Sequence, residues 1–217
     1  MNILDESKSL IENISLLSGP ILAILGFAAV IQLRLTKKSI ITASMRQAAE
    51  LSSKQVEVYN NKIIPLQDKL FLKETELKVE KPQLHNLEKF LKQEITAQLD
   101  AKSIENAINQ SIPTIFQLLI ILNNMEAFST YFTKGVADEE IAYSAIGRTF
   151  CHTIDGYSFD ICILREDDET SAFNNLIELY KIWNARLRTE KISKELKFKQ
   201  NELQNIQMSK ITILGTK

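Results

Sequence analysis

Glycine and proline are scarce, six and four in 217 residues. β-rich and disordered chains use both more freely, so those classes are disfavoured and an all-α chain is expected. An excess of charge is also missing: 26 basic against 27 acidic side chains leave a net charge of −1. Phosphate binding needs a basic surplus, so nucleic acid is not an expected partner. Cysteine is limited to Cys151 and Cys162. On one continuous helix they would lie about 16 Å apart, beyond the roughly 7 Å a disulfide spans. A bridge would need a break, which Gly156 could supply; both are read as reduced, buried small hydrophobes. The Cys151, His152 and Cys162 spacing matches no zinc pattern, and His85 is distant in sequence. Adjacent helical residues point about 100° apart, so Cys151 and His152 are not read as nucleophile and base. The acidic run from Glu166 to Glu169 lacks the glycine of a calcium loop and reads as a solvated connection. No glycine-rich phosphate loop is present. No catalytic residue, metal or cofactor is expected.

Charge is absent altogether from residues 14–33, "ISLLSGPILAILGFAAVIQL". Twenty helical residues reach about 30 Å, the thickness of a bilayer's hydrocarbon core. Eleven are Leu, Ile, Phe or Val, which favour insertion by about 3 to 6 kcal/mol before penalties from Gly19, Pro20 and Gln32. A signal peptide needs a basic leader, whereas this one carries Asp5, Glu6 and Glu12 against Lys8. A wholly buried core helix is the soluble alternative. The favoured reading is a retained span. Arg34, Lys37 and Lys38 follow it, so that side is expected to be cytoplasmic. The expected setting is a single pass through the cell inner membrane, with the N-terminus out and the C-terminal domain in the cytoplasm. Ser15, Gly19, Ala23 and Gly26 share one face and could let two such spans approach closely.

The remainder reads as helices. Residues 35–60 continue the span, and "NNKIIPLQ" interrupts at Pro65. A charged helix follows, then an amphipathic one on Leu84, Leu87, Leu91, Ile95 and Leu99, and a restart near Ser103. The apolar run from Ile115 to Leu122 marks the central helix of a domain, with Pro113 in its first turn and Gly135 at its end. Asp138 caps the next helix, residues 139–165, with Glu139 and Glu140 as solvated first-turn residues. A long helix runs from Phe173 to about Met208. Its second half carries Ile192, Leu196, Leu203 and Ile206 on a weak coiled-coil seam, expected to pack on the helix near residues 66–77. The expected organisation is a leader (1–12), transmembrane helix (13–34), helical connector (35–82), cytoplasmic helical bundle (83–208) ending in that long helix, and tail (209–217).

Polar residues beside the apolar run are the candidates for function. Asn123 and Glu126 lie three apart on one helix face, and Arg165 closes a later helix. A carboxylate in such surroundings needs a partner, so Glu126 is expected to pair with Arg165 or Arg148. The pair would either fix the fold or line a small polar ligand pocket.

The order "LNNMEAF…GVADEE…ICILRE…LIELYKIWNARL" resembles a bacterial family of single-span membrane proteins with a small cytoplasmic helical domain of unknown function. Its Leu-Asn-x-x-Glu stretch, Gly-x-x-Asp turn, following Arg and late Trp fall on Leu122, Asn123, Glu126, Gly135, Asp138, Arg165 and Trp183. The likeness covers residues 115–188 and implies the architecture, but no reaction. The charged extension after Trp183 departs from the pattern. The functional expectation is a non-enzymatic, membrane-anchored interaction or scaffold protein. It would contact membrane lipid, a protein partner or itself as a homo-oligomer. A sharper version is a membrane-disturbing effector of bacterial antiviral immunity. The alternative is a small-ligand sensor or enzyme using Asn123, Glu126 and Arg165.

Overall fold

The computed structural model describes residues 3–80, 82, 101–166 and 172–208, and the side chains of 22, 24–80, 82, 102–165 and 172–204. No strand occurs among them. The amphipathic stretch from Leu84 to Leu99, the acidic residues 167–169 and the tail after Met208 lie outside the described residues, as do the side chains of Ser15, Gly19, Ala23 and Glu166.

Two compact units are present, Met1–Ala48 and Ala49–Lys217. The described structure of the first is the helix α1 (Ile3–Val58), whose last turns belong to the second. Every described side chain of residues 22–47 is exposed. Among the described residues no single helix is long and apolar enough to cross a membrane; those side chains begin only at Leu22, within the uncharged run.

The second unit starts earlier than expected. Residues 49–76 are part of its core rather than a connector, because Tyr59, Ile63 and Leu70 are fully buried. Their spacings of four and seven place them on one helix face, a stripe that the intervening charges obscure. Nor does Pro65 break the chain. A π-helical turn, Tyr59–Ile63, leads directly into α2 (Ile64–Glu76). The Ile64 amide bonds the Tyr59 carbonyl, five residues back, so the ladder slips by one residue just before the position that has no amide.

Next come α3 (Ala101–Ser111) and α4 (Ile115–Thr133). Pro113 sits in the turn between them, and the two helices are bent by 85°. Together the two are long and apolar enough for a bent span, but Leu118, Ile121, Leu122, Met125 and Phe128 of α4 are buried in the bundle. Gly135 (φ +66°) ends α4 as the sequence suggests. The Gly135 amide donates to the Phe132 carbonyl and the Val136 amide to the Tyr131 carbonyl, the paired bonds of a left-handed helix stop. Asp138 then caps α5 (Glu139–Gly156), accepting from the amides of Glu140 at 3.0 Å and Ile141 at 3.4 Å. The single helix expected over residues 139–165 is divided at Tyr157, with α6 (Ser158–Glu166) following.

The last helix, α7 (Asn174–Met208), packs its first half on α4 and α5. Trp183 is fully buried there, its ring centroid 4.9 Å from Phe150, 5.8 Å from Tyr143, 6.0 Å from Phe132 and 6.3 Å from Phe128. The second half does not pack on α2. Ile192, Leu196 and Leu203 are 57, 55 and 59 % exposed, while Leu70 of α2 is occupied in the core.

Candidate functional site

Glu126 is a clasp between helices. Its Oε1 accepts from the Asn175 amide at 3.1 Å and the Asn175 side chain at 2.7 Å, and its Oε2 accepts from the Leu176 amide at 2.7 Å. Phe173, the residue before α7, has φ +59° and no side-chain oxygen to cap the helix. Glu126, carried on α4, supplies the anion that the exposed amides and dipole of that N-terminus favour.

The expected ion pair is therefore absent. Among the described residues no ion pair joins Glu126 to Arg165 or Arg148. Arg148 is exposed on α5, and Asn123 is exposed on α4. Arg165 donates to the Ala172 carbonyl and, at 3.4 Å, to the Asn174 side chain. Glu126 and Arg165 thus hold successive residues at the start of α7 without contacting each other. Backbone amides outcompeted the guanidinium, a partner that side-chain pattern alone does not display.

A second polar group joins α5 to α7. The Trp183 indole N–H donates to Glu139 Oε1 at 2.5 Å, so Glu139 is not the free surface residue expected. Arg186 bonds Glu140 at 2.6 Å and lies 3.8 Å from Glu139 and 3.7 Å from Glu190. Its guanidinium carbon stands 3.8 Å from the centre of the Tyr143 ring, a cation–π arrangement. Tyr143 in turn donates to Glu190 at 2.8 Å. The bond to Arg186 lowers the Glu140 carboxyl below its ordinary range. Burial, with the Glu190 bond next, pushes the Tyr143 hydroxyl up to about 12. The Tyr143 ring also covers Gly147, where an added Cβ would come within 2.6 Å of it. An open groove of about 310 Å³ runs along this face past Tyr143, Arg148, Thr149 and Glu190. The spacing of Glu139, Tyr143 and Gly147 by four was the available signal; their partners 44 and 47 residues away were not.

These groups are committed to holding helices together. Glu126 is surrounded by donors, and Arg186 by three carboxylates. Burial pushes the Cys151 thiol up to about 12, which keeps it protonated. Burial, then the 2.5 Å bond to Asp155, also raises the Tyr180 hydroxyl. Cys151 and Cys162 are buried and not joined by a disulfide. Among the described residues no cluster of three or more His, Cys, Asp or Glu could hold a metal ion. A cavity of about 80 Å³ between Ile108, Ile112, Phe159 and Leu164 is apolar apart from Ser111 and Asp160.

No family model, curated protein or solved structure matches this chain, so the family resemblance rests on its short motifs alone.

Proposed function

We propose that the protein is a membrane-anchored helical scaffold, with one N-terminal span and a bundle that presents an interaction surface on the cytoplasmic side. The carrying observation is the uncharged run at residues 14–33, which falls within α1. Where its side chains are described, Leu22, Leu25, Phe27, Val30 and Leu33 are 51 to 75 % exposed. With Ile24 (68 % exposed) and Ile31 (43 % exposed) they are spread round the helix at 3.6 residues per turn, with no gap wider than about 100°. A helix apolar all round is stable in hydrocarbon or inside a core, and no described residue supplies a core around these. The polar groups around Glu126 and Arg186 support a scaffold rather than a reaction, since each bonds a neighbouring helix. Orientation follows from Asp5, Glu6 and Glu12 before the run and Arg34, Lys37 and Lys38 after it.

The test is fractionation of the full chain with alkaline extraction, plus a reporter fused after Lys217 that works only in the periplasm. Retention in extracted membranes with a silent reporter is expected. Recovery in the soluble fraction overturns the anchor, and an active reporter overturns the orientation.

A further inference from the structure

Among the described residues, residues 191–204 of α7 pack against no other helix. Every residue from 191 to 204 is exposed, although helices in proteins draw most of their stability from a packed face. Of the exposed large apolar residues in this segment, Ile192, Leu196 and Leu203 fall on one seam and Phe198 lies off it. Ala185, Thr189, Ile192, Leu196, Lys199 and Leu203 follow one another at spacings of four, three, four, three and four. That is the alternation of a two-stranded coiled-coil seam. The seam starts on the bundle half of the helix and lies away from the bundle. Leu176, which faces the core, and Ala185 are nine residues apart, about half a turn round the helix. A second helix laid along the seam therefore does not displace the core contacts of Trp183 or Tyr180.

We infer that the seam takes the same helix of a second copy of this chain, running antiparallel. This supplies the partner that the scaffold reading leaves open and rests on that reading of the bundle, but not on the anchor. The register follows from placing Leu196 against the partner's Ile192. Thr189 then meets the partner's Lys199, and Ala185 meets the partner's Leu203, each contact repeated by the two-fold axis. Flanking charges choose the direction. Antiparallel pairing sets Arg188 beside the partner's Glu202, twice. Parallel pairing stacks Lys199 on the partner's Lys199 inside the seam and sets Arg188 opposite the partner's uncharged Ser193. The antiparallel form places Glu195 near its own copy at the axis. Lys191 and Lys199 stand one turn to either side of it and offset that repulsion.

The full chain in detergent micelles tests this by light scattering coupled to size exclusion. A dimer is expected, with Leu196→Glu giving a monomer of unchanged helix content. Phe116→Glu, at an exposed apolar position on α4 (79 % exposed), should leave the dimer intact. Arg188→Glu and Glu202→Arg should each weaken association about tenfold, and the double variant should restore it. Direction is read by oxidative cross-linking of differently tagged copies. Thr189→Cys should cross-link to Lys199→Cys in the mixture, and neither to itself. Self-cross-linking of each single variant overturns the antiparallel register. A monomeric parent, or a Leu196→Glu dimer as strong as the parent, overturns the seam. A protein that proves soluble but dimerises in this register loses its anchor and keeps its partner.

Discussion

The indole of Trp183 and the carboxylate of Glu139 are bonded at 2.5 Å across the α5–α7 interface. Trp183 is fully buried, so losing the acceptor strands a donor away from water. Glu139→Ala is expected to cost about 1–3 kcal/mol, and Glu139→Gln, which keeps a carbonyl oxygen, less. Glu140→Ala removes only an exposed contact to Arg186 and should stay within about 1 kcal/mol. Urea unfolding followed by emission of the single tryptophan reads both. Equal midpoints for Glu139→Ala and Glu140→Ala would sink the argument.

Glu126→Ala should loosen the start of α7. Three donors lose their acceptor, and helix-cap losses run at about 0.5–2 kcal/mol. Hydrogen exchange at Asn175 and Leu176 should accelerate, while amides deep in α4 change only with global stability. Unchanged protection at those two residues would contradict the clasp.

Gly147→Ala should destabilise the bundle, although alanine is the better helix former by about 1 kcal/mol. The new Cβ would come within 2.6 Å of the Tyr143 ring, which must swing away from Arg186 and Glu190. Tyr143→Ala in the same chain should remove the penalty and let the propensity gain appear. A thermally more stable Gly147→Ala single variant would show that the ring moves without cost.

Alkaline pH gives a signed expectation. An unfolded tyrosine loses its proton near pH 10, whereas folded Tyr143 holds it to about 12. Between those values the unfolded chain binds fewer protons, so stability falls as pH rises. Below pH 10 both states are protonated and this contribution is fully present. Tyr143→Phe should flatten the fall over pH 10–12 in a comparison of denaturation midpoints. An identical slope in parent and variant would remove Tyr143 as its source.

What the sequence made legible was local. Asp138 caps the amides two and three residues ahead, and Gly135 provides the positive φ its own helix end requires. Both signals lie within a turn of their effect. The partners of Glu126 and Glu139 lie 44 to 50 residues away, and composition around a carboxylate does not say which distant donor reaches it. Tyr59, Ile63 and Leu70 were obscured for another reason. Their stripe is narrow and set among charges, and Pro65 suggested a break where a π-helical turn carries the chain onward.

The Glu126 clasp also sets an order of assembly. The first turn of α7 has no capping oxygen in the residue before it and borrows one made 50 residues earlier. Helix nucleation is the costly step, so this N-terminus gains its cap only once α4 is in place. During synthesis the carboxylate emerges first and the amides arrive to meet it. A helix that docks late on the bundle is the expected consequence, and it is checked by Glu126→Ala acting more on the unfolding rate than on the folding rate.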